Sequence, residues 1–443
     1  MDDSDYFRGR KITMLGLGLL GRGIGVTRFL AAAGAQLTIT DLKSATDLKD
    51  SLDQLSEYDN ITYVLGEHRL EDFTNQDLII KAAGVPLNSP FIAEAKKNGI
   101  PVKMDASLFL ELAPPGVVTV GVTGTRGKST VTHWLEQVLK AANQVVYLGG
   151  NVRGIATLPL LSKVKAGDYV VLELDSWQLQ GFGEAGLSPQ VAIFTTFMQD
   201  HQNYYQNNMD LYLADKANIF LNQHAEDFLV LGEQAESAVL EQYKDKIKSH
   251  LIIAGHTLPV GWAVKLLGAH NRYNASLVYE AAIALGLEVE DVKRGIETFP
   301  GVPGRLEYLG EKKGIKFYND NNATTPDAAM AAVKAFPDYQ GKIILIGGGA
   351  DKELDFSEYA RLMPTYVKKF ILFKGSATEK IKAVLPSEIE VVEVTSMTEA
   401  LDQAQISATA GDLILLSPGA ASFGVFKNEY ERNDQFVTLV GQI

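Results

Sequence analysis

The sequence predicts an α/β protein of three domains: a Rossmann-like N-terminal domain, a central domain of P-loop type on a parallel sheet, and a Rossmann-like C-terminal domain. Three observations predict it. Apolar, β-branched runs alternate with segments of helical periodicity along the whole chain, the pattern of a doubly wound parallel sheet. Two glycine-rich turns, GLGLLG at 16–21 and GTRGKST at 124–130, each follow such a run and open a helix. The length, 443 residues, corresponds to about three domains at ~150 residues each. The expected boundaries are 1–103, 104–302 and 303–443.

In the first domain KITMLGLG (11–18) reads as a strand, followed by the glycine turn and a helix through Thr27–Ala33. QLTIT (36–40) is a second strand, with Asp41 directly after it. A G-x-G-x-x-G turn with an acid about 20 residues on is the dinucleotide fingerprint, and alone it points to an NAD-linked oxidoreductase. Its physical content is narrower: a phosphate fits at this helix N-terminus. ITYVLG (61–66), DLIIKAAG (77–84) and a short helix at Phe91–Asn98 complete the unit, and Lys81–Gly84 form a second glycine turn. Another nucleotide-linked ligand is preferred to NAD, because the next domain supplies a triphosphate site of its own.

That site is Val117–Thr130, VVTVGVTGTRGKST. Gly124, Thr125, Arg126, Gly127, Lys128, Ser129 and Thr130 lie between a strand and a helix, where backbone N–H groups and the helix N-terminus meet phosphate. Lys128 is expected to reach the β/γ-phosphates and Ser129 to bind Mg²⁺. The spacing departs from G-x-x-x-x-G-K-[ST], since Val122 occupies the first glycine position. QVVYLGGN (144–151), DYVVLELDSWQLQ (168–180) and PQVAIFTTF (189–197) continue the sheet. Glu173 and Asp200-His201 lie at strand C-terminal ends, where such sheets bind ligands, and suggest Mg²⁺ ligation. Lys216 falls in an amphipathic helix and, on residue chemistry alone, reads as a surface lysine. Asn271 and Asn274, three apart at the start of a helix, share a face. They serve equally as N-terminal caps or as amides for a nucleotide.

GIKFYND (314–320), KIILIGGG (342–349), KKFILFKG (368–375), EIEVVEV (388–394) and GDLILLSP (411–418) give the third domain a mostly parallel sheet. Composition sets wider bounds. The chain is 46% hydrophobic and 21% charged, has no cysteine and carries a formal net charge of −13. No apolar run reaches the ~18 residues of a membrane helix, and the acidic N-terminus does not resemble a secretory signal. The expectation is a cytoplasmic protein with no membrane or nucleic-acid partner.

The pattern G-T-x-G-K-S-T, ELDSWQLQ, Asp200-His201, Lys216 in its helix and G-x-H-N-x-x-N-x-x-L-V at 268–278 resembles the Mur ligases. The resemblance continues through PGVPGRLEYLG, NDNNATTPDA, GGGADKELDF and LLSPGAASFGVFKNEYERNDQF and covers essentially the whole chain. The last three of these motifs are most similar to the D-glutamate-adding branch. The resemblance implies a central ATPase domain and ATP-dependent amide synthesis through an acyl phosphate. It implies UDP-MurNAc-L-alanine and D-glutamate as substrates, two Mg²⁺ sites, and a monomer. Lys128, His201 and Lys216 match catalytic positions, and Ser129, Glu173, His201 and a carbamylated Lys216 match metal ligands. Asn271, Asn274, Arg305 and Asp320 match ATP contacts. Gly18, Leu19, Leu20 and Gly84 match the UDP site, with Asp41, Leu42 and Lys43 near the uracil. Asn151 lies near substrate and metal, and Thr324, Lys352 and Ser422 match the amino-acid site.

Several positions depart from the family pattern. Asn322 replaces a usual lysine, Glu429 a usual aromatic, and Gly304 a usual histidine, and the loop reads T-R-G-K where N-G-K is commoner. These departures motivate a second reading, the same chemistry with another amino acid such as L-glutamate. A folylpolyglutamate-type ligase is disfavoured by the Rossmann-like first domain. A non-catalytic nucleotide-binding module is disfavoured by the joint presence of Lys128, Glu173, His201 and Lys216.

Overall fold

The computed structural model describes residues 3–19, 21–255, 257–387 and 389–443. Three sheets carry the molecule. The first contains β1 Lys11–Leu15, β2 Gln36–Asp41, β3 Ile61–Leu65, β4 Leu78–Lys81 and β5 Val102–Lys103, in the order 3-2-1-4-5 and parallel throughout. The second contains β6 Val118–Thr123, β7 Val146–Gly150, β8 Tyr169–Glu173, β9 Val191–Phe194, β10 Phe228–Gly232 and β11 His250–Ala254. Its order is 11-10-9-6-8-7, again all parallel. The third contains β12 Glu307–Lys312, β13 Ile315–Asn319, β14 Ile343–Gly348, β15 Val367–Phe373, β16 Val391–Val394 and β17 Leu413–Leu416. Its order is 12-13-17-14-15-16, with β12 antiparallel to β13 and the rest parallel.

The expected α/β class is observed. The helix after the first glycine turn is longer than expected: it runs Arg22–Ala32 and starts immediately after Gly21. β5, β10, β11 and β12 add to the strands read from sequence. The central strands β6, β8 and β9 are apolar on both faces because helices cover both sides.

Contacts divide the chain into two compact units, 1–262 with 274–297, and 263–273 with 298–443. In the first unit one hydrophobic core runs from Met14, Leu30 and Ile39 to Leu172, Phe194 and Leu213, so the first two sheets share packing. In the second unit separate clusters cover the two faces of the third sheet, one around Leu345, Tyr359 and Leu415, the other around Ile346, Leu416 and Phe436. Among the described residues no helix is long and apolar enough to cross a membrane.

Candidate active site

The phosphate loop, Asn151, Glu173, Asp200 and His201 lie at the C-terminal edge of the central parallel sheet. β6 runs into the 124–130 loop, β7 ends beside Asn151, β8 ends on Glu173, and the segment after β9 carries Asp200 and His201. These four strands are neighbours, in the order 9-6-8-7. The topology therefore gathers residues far apart in sequence along one edge.

The loop is built by left-handed glycines and threonine hydroxyls. Gly124 has φ +136° and Gly127 φ +91°. A Cβ on Gly124 would stand 2.0 Å from Thr195 Oγ1, and one on Gly127 2.7 Å from Asn274 Oδ1. The Thr125 N–H donates to the Thr196 carbonyl at 2.8 Å, and the Arg126 N–H donates to Thr196 Oγ1 at 2.9 Å. Gly127 leads into the helix Lys128–Ala141, with no side chain capping it. Its first N–H groups are thus aimed at the loop mouth, the arrangement that receives phosphate. Thr130 is buried on that helix. Lys128 Nζ donates to the Gly124 carbonyl at 2.9 Å and the Thr125 carbonyl at 3.2 Å, so the ammonium is folded over the loop itself.

Ser129 Oγ donates to Glu173 Oε1 at 2.9 Å, and Glu173 is 5% exposed. A hydroxyl and a carboxylate in contact form a hard-oxygen pair of the kind Mg²⁺ takes. Among the described residues no three His, Asp or Glu side chains come together as a metal cluster. The Asn151 N–H donates to the Glu173 carbonyl at 2.6 Å, which fixes the turn after β7 against the end of β8.

Lys216 reverses the surface reading. It lies in the helix Met209–Ala217, is 1% exposed, and donates to the Gly124 carbonyl at 2.9 Å and to Thr123 Oγ1 at 3.4 Å. The reason is visible in its neighbours: it shares a helix face with buried Tyr212, Leu213 and Ala217. Burial first, and the Lys128 charge second, push its pKa well below the ordinary lysine value. As an ammonium it does not fit a metal.

His201 has φ +52° and packs at a tilt against Trp177, with ring centroids 4.8 Å apart. Burial lowers its pKa, against the opposing pull of Asp200, so the neutral ligand form is favoured. Asp200 is itself raised by burial, but Arg126 and His201 more than offset this and hold it at about 2. The Arg126–Asp200 ion pair, 2.9 Å, pins the segment after β9 to the loop. This link, and the Thr195–Thr196 hydroxyls, went unread in the sequence; two threonines following a buried strand beside a glycine loop were the available signal.

In the first domain Gly16, Gly18 and Gly21 all have positive φ. A Cβ on Gly23 would stand 1.9 Å from the Leu17 carbonyl, so the turn closes only on glycine. Asp41 is committed elsewhere than to a ligand: Oδ2 accepts from the Leu17 and Gly18 N–H groups, both at 3.0 Å, and Oδ1 from the Lys43 N–H at 2.9 Å. A carboxylate spent on three backbone donors has little left for a ribose, which removes the main support for NAD. Leu19, Leu42, Lys43 and Gly84 are exposed around this turn. Leu20 lies outside the described residues. Lys81 is buried, donates to the Val85 carbonyl at 3.0 Å, and is lowered by burial to about 8.

In the unit of the third sheet, Asp320 follows β13, Lys352 follows β14 and Ser422 follows β17. Asp320 Oδ2 accepts from Ser417 Oγ at 2.9 Å and Oδ1 from the Leu306 N–H at 3.2 Å. Burial raises its pKa to about 7, against the opposing hydrogen bonds and Arg305. Lys352 Nζ donates to Thr324 Oγ1 at 3.0 Å, which joins two of the residues expected at one amino-acid site. Asn271 Nδ2 donates to the Leu267 carbonyl at 2.8 Å. Asn274 belongs to the other unit, against Gly127 as described. Arg432, not singled out in the sequence, is fully buried here.

Three family models match in succession: a Mur ligase MurD-like N-terminal domain over residues 10–103, a Mur ligase middle domain over 122–257, and a Mur ligase glutamate ligase domain over 304–419. Among curated proteins the chain is 36% identical to a UDP-N-acetylmuramoylalanine–D-glutamate ligase of Roseiflexus sp., over 98% of both chains. It is 35% identical to the protein of the same name from Borreliella burgdorferi, over 99% of both. Among solved structures it resembles the UDP-N-acetylmuramate–alanine ligase of Thermotoga maritima, with a TM-score of 0.61 at 19% identity and coverage of 98% and 99%. The E. coli FolC protein in complex with DHPP and ADP matches with a TM-score of 0.59 at 18% identity, over 76% of this chain and 92% of its own. These structures share the fold. With consecutive domain models along its length and relatives at 35–36% identity from end to end, this chain belongs to the Mur ligase family.

Proposed function

We propose that the chain is an ATP-dependent amide ligase of peptidoglycan precursor synthesis, joining D-glutamate to UDP-MurNAc-L-alanine. The observation that carries this is the gathering of Lys128, the Ser129–Glu173 pair, His201 and Lys216 around one phosphate loop. The names of the full-length relatives support the choice of amino acid.

The substrate carboxylate is a poor electrophile. Attack by its oxygen on the γ-phosphorus of ATP expels ADP and leaves an acyl phosphate. The amino-acid nitrogen then adds to the acyl carbon and loses a proton, and phosphate leaves as the amide forms. The loop N–H groups and Lys128 hold the transferring phosphoryl group and offset its charge. Mg²⁺, held by Ser129 and Glu173 at one site and by His201 and carbamylated Lys216 at a second, would supply Lewis-acid neutralisation of the anionic oxygens. The neutral amine of Lys216 adds CO₂ and releases one proton, which converts a buried cation into an oxygen ligand. Asn271, Asn274, Arg305 and Asp320 are assigned to ATP, with Asp320 on the ribose. Gly18, Leu19, Leu20, Leu42, Lys43 and Gly84 are assigned to the UDP end, and Asp41 to bracing that turn. Asn151 is placed near substrate and metal, and Thr324, Lys352 and Ser422 on the amino acid, where a lysine suits a side-chain carboxylate.

We place the domain boundaries near 103 and 302 and read the enzyme as a cytoplasmic monomer; the lack of cysteine fits a reducing compartment. The departures at Asn322 and Glu429 support one competing reading, the same ligase with another amino acid. Purified protein given ATP, Mg²⁺ and UDP-MurNAc-L-alanine is tested for phosphate release with a panel of amino acids. D-glutamate should stimulate release most; release with L-glutamate but not D-glutamate would replace the first reading by the second.

A further inference from the structure

Arg432 is the anomaly of the third-sheet unit. Its side chain is 0% exposed, on the helix Glu429–Gln442, and among the described residues it makes no ion pair with a carboxylate. Burial lowers its pKa to about 10, opposed by Glu429 one turn earlier. A guanidinium taken out of water without a carboxylate in contact is costly, and its hydrogen bonds offset part of that cost.

Those bonds run to two loops. Nε donates to Asn321 Oδ1 at 2.7 Å and Nη2 to the Asn321 carbonyl at 3.0 Å, while Nη1 reaches the Ala420 carbonyl at 3.4 Å. Asn321 answers by donating from Nδ2 to the Glu429 carbonyl at 3.0 Å. The two loops are further joined by the Gly419 N–H to the Ala323 carbonyl at 2.7 Å. A third loop, after β14, is tied in by reciprocal bonds between Ala350 and Ala421, at 3.0 and 3.1 Å. These three loops carry Asp320 and Thr324, Lys352, and Ser422. One guanidinium thus bridges the two loops that hold Thr324 and Ser422, the loop of Lys352 is joined to them through Ala350 and Ala421, and Arg432 hydrogen-bonds to none of the three assigned residues.

We propose that Arg432 is a positioning residue for amino-acid recognition, holding the 319–324 and 417–422 loops in the register that sets Thr324, Lys352 and Ser422 around one ligand. The planar fork is the reason for an arginine: two donors meet the side chain and backbone of one residue while a third reaches another loop. Lysine would offer a single ammonium on a flexible stem. The inference rests on the ligase reading.

The test uses the full-length protein and the variants Arg432→Lys and Asn321→Ala, each checked for folding by circular dichroism and thermal unfolding. Wild type is assayed first; absence of phosphate release with any amino acid would end the ligase reading itself. Given wild-type activity, both variants should raise the KM for the amino acid about tenfold or more. The KM for UDP-MurNAc-L-alanine should stay within about twofold, because the loops disturbed are not those assigned to it. A variant that unfolds passes the decision to the other. If the folded variants lose kcat or active fraction with both KM values unchanged, Arg432 is a structural arginine and the positioning role is overturned. Equal increases in every KM overturn it as well.

Discussion

At the residue scale Lys216 and Asp320 are two groups that burial pushes toward neutrality. For Lys216 neutrality is what carbamylation requires, since only an unprotonated amine adds CO₂. We expect Lys216→Ala to be nearly inactive and to recover part of its turnover with added acetate or formate, measured as phosphate release. Full activity in the alanine variant would remove the carbamate. For Asp320 the raised folded pKa, about 7 against 3.8, means that the native state binds more protons than the unfolded chain between these values. Its contribution to stability is therefore greatest at low pH and is lost as pH rises from about 4 to about 7, with a magnitude on the order of a few kcal/mol. Comparing thermal unfolding of wild type and Asp320→Asn at pH 5 and pH 8 isolates this term. The variant should gain relative to wild type at the higher pH; parallel changes in both proteins would refute the assignment. Sequence reading reached Asp320 by resemblance alone. For Lys216 the local signal existed, a lysine interrupting the stripe Tyr212, Leu213, Ala217, Phe220, but a hydrophobic count treats lysine as solvated and discards it.

At the scale of elements the phosphate loop and the first glycine turn were legible because each is a local device: strand, glycines, helix. What holds them is not local. The 124–130 loop depends on Thr195 and Thr196 from the end of β9, and on Asn274 from a later helix. The first turn depends on Asp41 at the end of β2. Such partners are set by strand order, which spacing along the chain does not contain. Gly127→Ala tests the loop. It places a side chain at φ +91° and brings its Cβ against Asn274, which should cost more than about 2 kcal/mol of stability or force the loop open. Binding of a non-hydrolysable ATP analogue, followed by calorimetry, should be lost. Retained binding with unchanged unfolding would show that the loop relaxes freely. β12 escaped the sequence reading for a different reason: EYLGEK has charged and glycine positions where strand alternation is sought, because it is an edge strand with much of its surface in water.

At the scale of the whole molecule, the α/β class and the three sheets were legible from the alternation of elements. The fusion of the first two sheets into one unit was not. It arises from side-chain packing between Leu30 and Phe29 on one side and the Leu158–Leu161 segment on the other, which periodicity treats as two separate cores. Two units with separate cores predict two transitions on heating, seen by differential scanning calorimetry. An ATP analogue with Mg²⁺ should raise the transition of the unit that holds the phosphate loop, and Lys128→Ala should abolish that shift. One transition that responds as a block would mean that the units unfold together.

The antiparallel strand β12 has a consequence for life in a crowded solution. Open parallel sheets end in rows of unmet N–H and C=O groups that invite a strand from another molecule. Here one margin of the third sheet is finished by a short strand bearing Glu307, Glu311 and Lys312, bent by an irregularity between Tyr308 and Gly310. Charge and curvature together make that margin a poor template for an incoming chain. The hairpin sets this charged strand outside the apolar interior strands β17 and β14.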